Sequence, residues 1–378
     1  MGIEFGHMAN EFVPGLEGVV AAQTEISEVD GQNGRLIYRG GYLIEEIWQL
    51  SFEEVAHLLW KGVLPGPDEL AQLKSQLVAG RALNRAAEAA VLALDPGVDP
   101  MDALRTGLSA YGAGPGCPKP TLEQAVRLVA ATPTIVAAFH RHQLGLDPLA
   151  PRDDLGHAAN FLWMMNGSEP QPDQVRGLDA YLILLADHGL NASTFAARVV
   201  ASTGADLTSA MVGAVGALKG PAHGGAATAA MQMLEGVGGA DRAEDFVVDL
   251  LDHHGRLMGF GHRVYRTYDP RAKVLRELAR QSNPSFYDVA SRVEEVALRE
   301  LLKRHPERPN ATNVDYYSAG VLAASGLPKE YFTCAFAMSR MVGWSAHVLE
   351  YMAKDGRILR PASQWMGPDP SRRTAPVP

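Results

Sequence analysis

The feature that most constrains the fold is a helical pattern that recurs along almost the whole chain. In SFEEVAHLLWKG, Ser51 and Glu54 stand at the spacing of a capping box, and apolar residues then return every three or four positions. PGPDELAQLKSQLVAG repeats this design, with Pro67 at the first turn and Gly80 as the stop. Both segments are predicted to be amphipathic helices, and the chain as a whole is predicted to be all-α.

Further helices are predicted on the same grounds along the rest of the chain. One covers 121–142, where Pro133 interrupts the pattern and predicts a kink or a break. The others cover 154–166, 191–203, 207–218, 225–234, 241–256, 271–281, 286–304, 315–324 and 329–352.

Strand patterns are sparse in this sequence. GRLIYRGG, residues 34–41, is predicted to be a short hairpin arm with Gly40 and Gly41 as its turn. Residues 111–121, rich in glycine and proline, are predicted to be a loop, and the tail 367–378 an extended segment on a surface or a partner chain. Because strands and helices do not alternate, a parallel α/β fold is disfavoured.

The charge balance limits the partners of the chain. It has 43 Asp and Glu residues against 34 Lys and Arg residues, a formal net charge of −9. Nucleic-acid binding needs a basic surface, so no nucleic-acid partner is expected. An anionic small molecule would instead need a local basic pocket. No membrane partner is expected either, because no apolar run is judged long enough to cross a bilayer.

The two cysteines and the N-terminus indicate the setting of the protein. Cys117 and Cys334 do not form a CxxC pair, which disfavours a disulfide framework or a cysteine zinc site and favours a reducing interior. No secretory signal is visible, so a cytoplasmic location is predicted. Residues 1–8, MGIEFGHM, are interpreted as a cloning leader, with Met8 as the native start.

Four stretches place polar residues at predicted helix boundaries in otherwise apolar sequence. They are ADHGLNASTFAARV with His188, Asn191 and Ser193, LKGPAHGGAATAAMQML with Lys219 and His223, GFGHRVYRTYDPRA with His262 and three arginines, and NATNVDYYSAGVL with Asn313 and Asp315. Imidazoles, guanidinium groups and one carboxylate together suit proton transfer beside a carbonyl of an anionic substrate. No spacing of histidines supplies a set of metal ligands, so no metal is expected.

Each stretch also has a purely structural interpretation, which the residues alone leave open. His223 lies between Pro221 and two glycines just before a helix, so an anion site and an ordinary loop histidine are equally favoured. His188 could be a satisfied core histidine. Asp315 could cap a helix, which is the commoner role of an acid at that position.

The arginine-rich stretch GFGHRVYRTYDPRA has two interpretations of its own. It is not a dinucleotide-binding loop, because it lacks the third glycine and no strand precedes it, and the chain contains no Walker motif. A solvated charged face is the ordinary interpretation of such a cluster. Its two glycines and its proline disfavour a regular exposed helix, however, and this favours a site.

Taken in order, five motifs resemble those of the citrate synthases, including the related 2-methylcitrate synthases. They are HGLNASTF, LKGPAHGGA, GFGHRVYRTYDPRA, NVDYYSAG and GWSAHVLE, and the resemblance covers nearly the whole chain. It implies an all-α subunit in which residues 1–216 and 319–378 form a large helical domain and residues 217–318 an inserted small domain. It also implies a homodimer with exchanged C-terminal arms and an active site between the domains.

The resemblance further implies a role for each candidate residue. Asp315 would take a proton from the methyl carbon of the acyl-CoA, His223 would donate a hydrogen bond to the thioester oxygen, and His262 would donate to the ketone of oxaloacetate. The oxaloacetate-binding residues would be His188, Asn191, Arg271, Arg340 and, across the subunit interface, Arg360. The CoA-binding residues would be Leu257, Met258, Gly259, Phe260, Gly261, Arg266 and Asn313, and Arg263 has no assigned role.

The implied activity is that of an acyltransferase that converts the acyl group to alkyl on transfer. Acetyl-CoA would condense with oxaloacetate, and hydrolysis of the citryl-CoA thioester would give citrate and CoA, a step of the tricarboxylic acid cycle, with no cofactor besides the substrates. A 2-methylcitrate synthase using propionyl-CoA is the first alternative, since one methylene changes binding by only ~10–200-fold. A noncatalytic helical binding protein is the second.

Overall fold

The computed structural model describes residues 12–262, 264–308, 310–354 and 356–367. The interpreted leader, Arg263 and all but the first residue of the predicted tail lie outside these ranges. Within the described part the fold is all-α, as predicted, and one continuous hydrophobic core runs through it. Its helices are α1 Ile44–Ile47, α2 Phe52–Lys61, α3 Pro67–Gly80, α4 Arg85–Leu92, α5 Pro100–Tyr111, α6 Leu122–Gln143, α7 His157–Asn166, α8 Pro172–Leu185, α9 Ala192–Ser202, α10 Leu207–Lys219, α11 Ala226–Val237, α12 Ala243–Asp252, α13 Pro270–Ser282, α14 Pro284–Arg304, α15 Val314–Ala324 and α16 Phe332–Lys354.

The local signals of α2 behave as the sequence predicts. Ser51 Oγ accepts a hydrogen bond from the Glu54 amide, and the Glu54 carboxylate accepts one from the Ser51 amide, which closes the capping box. The helix ends at Gly62, whose left-handed φ of 85° a glycine adopts without strain. The helix α3 begins at Pro67 and ends at Gly80, again as predicted.

Of the predicted kink or break at Pro133, the break is wrong, and the kink stays a prediction. The helix α6 runs as one element through this proline, which lies in a stretch buried from Leu128 to His140. Proline removes a single backbone hydrogen bond, and packing of the buried residues on both sides against α3, α5, α7 and α16 outweighs that loss.

The helix α6 also corrects the expectation about apolar length. By length and composition it is able to cross a bilayer, and it is the one such helix among the described residues. However, 78% of its apolar window is buried inside the fold. It is therefore the central core helix of this fold.

A small antiparallel sheet precedes the helices. Its strands are β1 Ser27–Asp30, β2 Arg35–Tyr38 and β3 Tyr42–Leu43, in that order, and Ser27 pairs with Tyr38. The predicted turn at Gly40 and Gly41 is confirmed, because both residues have φ above 80°. The pattern analysis missed β1.

Two groups of helices carry the site. The helix α16 packs against α2, α5, α6, α8, α9 and α10, so residues at its centre are surrounded by protein. The helices α11 to α15 pack mainly on one another, and α13 and α15 also contact α8. The implied domain limits, 216/217 and 318/319, fall inside α10 and α15, and the division into two domains stays a prediction.

Candidate active site

The candidate residues lie where loops enter helices, and these entries converge. His188 precedes α9, His223 precedes α11, His262 precedes α13, and Asp315 lies in the first turn of α15. The ring centroids of His188 and His262 are 5.3 Å apart, although 74 residues separate them in sequence. Loops that open onto helix starts give donors and charges freedom to face a common cleft, and the helices fix their positions.

His262 is held by the backbone of its own loop. The amides of Val264 and Tyr265 both donate to its Nδ1, each over 3.0 Å. Nδ1 is therefore an acceptor, and the proton of the neutral ring is on Nε2. Loss of water and the positive charge of Arg271 lower the pKa of His262 to about 4. At neutral pH His262 is an uncharged ring with one N–H to donate.

His188 lies beside His262 and Tyr265. Its Nε2 is 3.3 Å from the Tyr265 hydroxyl, and the two rings meet edge to face. Burial lowers the pKa of His188 well below its ordinary value, and the charges of Arg271 and Arg340 act in the same direction. His188 is thus also uncharged at neutral pH.

His223 is linked to α9 through one hydroxyl. Its Nε2 is 2.9 Å from Ser193 Oγ, which also accepts a hydrogen bond from Trp344 Nε1 over 3.0 Å. Asn191 caps α9, and its Oδ1 accepts the amides of Ser193 and Thr194. Loss of water lowers the pKa of His223 to about 4, and the Arg340 charge adds to this shift.

The pKa of Asp315 is shifted in the opposite direction from the pKa values of the histidines. Asn313 Oδ1 accepts a hydrogen bond from the Asp315 amide over 3.1 Å, so Asn313 is the N-cap of α15. The sequence had left this capping role open for Asp315. Loss of water raises the pKa of the Asp315 carboxyl from 3.8 to about 6, against the charges of Arg271 and Arg340. The carboxyl is consequently ionised at neutral pH and also more basic than an ordinary aspartate.

Two buried guanidinium groups flank these residues. Arg271 pairs with Asp269 through Nε and Nη2, over 3.0 and 2.8 Å, and both side chains are buried. Arg340 donates from Nε to the Leu185 carbonyl over 2.8 Å and lies 4.8 Å from the centroid of the Phe336 ring. Among the described residues no carboxylate lies within ion-pair distance of Arg340, so its charge is available to an anionic ligand.

The predicted CoA loop is fixed by backbone contacts to residues 311–313. Gly261 donates to the Ala311 carbonyl over 2.8 Å, Asn313 donates to the Gly259 carbonyl over 2.9 Å, and Asn313 Nδ2 donates to the Gly261 carbonyl over 2.9 Å. Phe260 forms an isolated bridge with Thr312 in the same place. These contacts join the His262 loop to the start of α15, and hence to Asp315.

The structure does not bring every predicted residue into this cluster. Leu257 is buried, and the amide of Met258 contacts the sulfur of Met233. Arg266 is exposed, and its backbone amide donates to Gly31 in the β1–β2 turn over 2.8 Å. The binding roles of these residues stay predictions.

Arg360 lies outside the cluster. It is exposed and follows Leu359, whose amide donates to Ser202 at the far end of α9. Ser193 is at the near end, and nine residues of helix span about 14 Å. Within one chain, therefore, Arg360 lies away from His223, and its role also stays a prediction.

The sequence analysis named Ser193 as a candidate but did not single out Tyr265 or Asp269 as residues of the cluster. Tyr265, Ser193 and Asp269 contact His188, His223 and Arg271 respectively. All three lie inside the quoted motifs, so the available signal was their position between candidate residues. In the described ranges no three His, Cys, Asp or Glu side chains converge as a metal site would require.

The fold and the cluster together define the class of protein. It is a nearly all-helical protein in which uncharged imidazoles, one basic carboxylate and two buried arginines lie near one another. Clusters of this kind are typical of sites for acid–base chemistry on an anion.

Comparison with known proteins agrees with this class. The family described as "Citrate synthase, C-terminal domain" matches residues 15–362. The citrate synthase of Deinococcus radiodurans is 40% identical over 93% of this chain and 95% of its own length. A citrate synthase structure from Pyrobaculum aerophilum is 42% identical, with a TM-score of 0.87 over 97% of this chain and 94% of its own.

A third comparison concerns a structure with bound ligands. The citrate synthase of the archaeon Thermoplasma acidophilum, solved as a ternary complex with carboxymethyl coenzyme A and oxaloacetate, is 31% identical to this chain. Its TM-score is 0.90 over 97% of this chain and 99% of its own. The chain belongs to the citrate synthase family and is an enzyme of the citrate synthase type.

Proposed function

We propose that the protein condenses acetyl-CoA with oxaloacetate and hydrolyses the resulting thioester to citrate and CoA, with the cluster around Asp315 as its active site. The observation that carries this proposal is the pairing of one carboxylate of raised pKa with imidazoles of lowered pKa in a cleft with two buried arginines. Groups whose pKa values are moved apart in this way suit separate roles as base and hydrogen-bond donors.

Asp315 is the base of the first step. The methyl protons of a thioester are very weakly acidic, so a carboxylate removes one only if the developing oxyanion meets a fixed donor. His223 is this donor. Ser193 Oγ lies 2.9 Å from His223 Nε2 and 2.7 Å from Asn191 Oδ1, so its proton has two acceptors within reach, and we propose that His223 Nε2 receives it when the thioester is bound. The His223 proton is then on Nδ1, on the other side of the ring from Ser193.

Oxaloacetate supplies the electrophile of the second step. Its two carboxylates are held by Arg271 and Arg340, with His188 as a further donor. His262 donates Nε2–H to the ketone oxygen, which becomes an alkoxide as the carbon–carbon bond forms. Support comes from the bonds of Val264 and Tyr265 to Nδ1, which leave this proton on Nε2.

The CoA moiety is proposed to lie along residues 257–261, with Asn313 and Arg266 nearby. Gly261 carries no side chain, so the ligand could approach its backbone closely, whereas the space beside the Cα of Gly259 is filled by Tyr316. An exposed guanidinium such as that of Arg266 suits a phosphate of CoA. We propose no cofactor besides the substrates, and a cytoplasmic location, as the sequence analysis does.

A homodimer completes the site in this proposal. Arg360 lies far from His223 within one chain, which supports its contribution to the site of the other subunit. The relatives described above are named citrate synthases, which does not favour the propionyl-CoA alternative. Membership of an enzyme family likewise sets the noncatalytic alternative aside.

Release of free thiol from acetyl-CoA tests the proposed function. We expect thiol release that requires oxaloacetate, and a higher kcat/KM for acetyl-CoA than for propionyl-CoA. Asp315→Asn should lower kcat by about 10²- to 10⁴-fold, the usual contribution of a general base. A correctly folded wild-type protein that released no thiol would exclude the function, and a faster reaction with propionyl-CoA would restore the alternative.

A further inference from the structure

A buried carboxylate behind the cleft connects the elements that carry the candidate catalytic residues. Glu294 lies on α14, is 5% exposed, and belongs to none of the motifs that the sequence analysis singled out. Its Oε1 accepts the hydroxyls of Tyr268 and Thr312 over 2.9 and 2.6 Å. Its Oε2 accepts the hydroxyl of Tyr317 over 2.6 Å and lies 3.2 Å from Arg276 Nε.

The first two hydroxyls belong to the two loops of the site. Tyr268 directly precedes Asp269, which caps α13 and pairs with Arg271. Thr312 directly precedes Asn313, which caps the helix of Asp315. The two loops also meet at the Asp269 amide, which donates to the Thr312 carbonyl over 3.3 Å.

The third hydroxyl belongs to the helix of the base. Tyr317 stands two residues after Asp315 on α15 and is fully buried. Its hydroxyl also accepts a hydrogen bond from Arg276 Nε over 3.2 Å, so α13, α14 and α15 meet at the Glu294 carboxylate.

We propose that Glu294 is a positioning residue, which sets the distance between the Arg271 segment and the Asp315 segment by binding three hydroxyls at once. This inference rests on the proposed function for the roles of Arg271 and Asp315. Glu294 contacts neither residue in the described structure, so it acts through Tyr268, Thr312 and Tyr317.

The chemistry of a carboxylate explains why this position needs Glu. A carboxylate offers only acceptors, and here they receive three hydroxyl protons, with the Arg276 guanidinium beside them at ion-pair distance. In Glu294→Gln an amide NH₂ replaces one acceptor oxygen and faces hydroxyls that had been donors. Because a buried donor without an acceptor is costly, the two segments must shift to relieve the mismatch.

The test uses Glu294→Gln with Glu295→Gln as its matched control. Glu295 is the next residue on α14, is exposed, and pairs only with Arg292 in the described structure. We expect Glu294→Gln to lower kcat/KM by about 10- to 100-fold, the effect of a small displacement of reacting groups. Glu295→Gln should stay within about twofold of the wild type.

Two milder variants separate positioning from general stability. Tyr268→Phe frees the Arg271 segment and should mainly raise the KM for oxaloacetate. Tyr317→Phe frees the Asp315 segment, and should mainly lower kcat and move the acidic limb of its pH profile. Tyr268→Phe removes one hydrogen bond and Tyr317→Phe removes two, so both are milder than loss of the carboxylate and can be measured even if Glu294→Gln does not fold. Equal changes of kcat and KM in both variants, or no change in either, would overturn the proposal.

A readout that does not depend on turnover completes the experiment. Amide hydrogen exchange within 268–271 and 312–317 should be at least about tenfold faster in Glu294→Gln than in Glu295→Gln. Unchanged exchange in a folded Glu294→Gln would overturn the positioning role. If the wild type released no thiol, the proposed function would fail, and the exchange comparison would still decide whether Glu294 fixes the two segments.

Discussion

At the scale of single residues, burial is the largest cause of the pKa shifts that separate the base from the donors. It raises the pKa of the Asp315 carboxyl to about 6 and lowers the pKa of His223 and of His262 to about 4. The shifts are opposite because loss of water disfavours whichever form is charged. Above about pH 6 the base is therefore ionised and the two donors are neutral. Activity should accordingly fall as the pH drops through about 6.

The same shift predicts that Asp315 destabilises the fold. The pKa of Asp315 in the folded protein, about 6, exceeds its ordinary value of 3.8, so protonation of Asp315 favours the folded state. This stabilisation is complete below pH 3.8 and is lost as the pH rises through about 6, where the buried carboxyl becomes charged. Asp315→Asn should therefore raise the free energy of unfolding at pH 8, by on the order of 2 kcal/mol, with no gain at pH 3.5. Urea unfolding at the two pH values measures both.

Asp245→Asn is the matched control for this prediction. Asp245 also lies in the first turn of a helix, but it is exposed on α12. Loss of the Asp245 charge should lower the free energy of unfolding slightly, since a negative charge near a helix N-terminus stabilises the helix by about 0.3–1 kcal/mol. If Asp315→Asn were less stable than the wild type at pH 8, burial of the carboxylate would not be the cause of its pKa.

At the scale of elements, the helix entries matter most. Gly259 adopts a φ of 87°, and a Cβ there would lie 2.6 Å from Tyr316 Cδ2 on α15. Gly41 in the β2–β3 turn has a φ of 86° with open space around it. An added Cβ would meet Tyr316 at Gly259 and nothing at Gly41, whereas the backbone strain of an alanine would be similar at the two positions.

Alanine at these two positions separates strain from contact. Gly41→Ala should lower the free energy of unfolding by about 1 kcal/mol, the cost of a left-handed alanine. Gly259→Ala should lose more, because Tyr316 must move, and α15 carries Asp315 on its first turn. Thermal unfolding and kcat together test this. Equal losses of stability with unchanged kcat would show that the loop and α15 are not coupled.

Elements with strong local signals could be predicted from the sequence, and elements defined by tertiary packing could not. The capping box of α2 predicts its start, and Gly40 and Gly41 predict the hairpin turn. The helix α8 was missed because its last turns are apolar on every side, so no amphipathic stripe marks them. The helices α4 and α5 also escaped the pattern analysis, and the packing of α6 outweighed its proline.

The candidate site divides in the same way. The motifs contain His188, His223, His262 and Asp315, and the fold brings the elements that carry them together. The sequence could not reveal that Asn313 caps α15 or that Val264 and Tyr265 set the proton of His262, because these depend on local backbone geometry. Glu294 was missed because a glutamate on a long helix is ordinarily exposed.

At the scale of the whole molecule, the proposal needs two chains. In one chain Arg360 lies near Ser202, at the opposite end of α9 from Ser193 and His223. If each arm reaches the site of the other subunit, every site combines Asp315 of one chain with Arg360 of the second.

Mixed dimers test this arrangement. Asp315→Asn and Arg360→Ala should each be nearly inactive as homodimers. A heterodimer of the two has one site with both native residues if Arg360 acts across the interface, and no such site if it acts within its own chain. Co-refolding equal amounts should restore roughly a quarter of the wild-type rate, because half of the dimers are mixed and each has one native site. No restoration, with exchange of subunits verified, would contradict the proposal.

Removal of the acyl proton by Asp315 is the step on which the proposed reaction depends, and it can be measured without condensation. A hydroxy-dicarboxylate that lacks the ketone would fill the oxaloacetate position, and deuterium uptake at the acetyl methyl of acetyl-CoA in D₂O would report proton removal alone. We expect exchange that requires an occupied oxaloacetate position and falls below about pH 6, because Asp315 is then protonated. Exchange should be at least about 10²-fold slower in Asp315→Asn. Exchange at the wild-type rate in Asp315→Asn would contradict this role of Asp315.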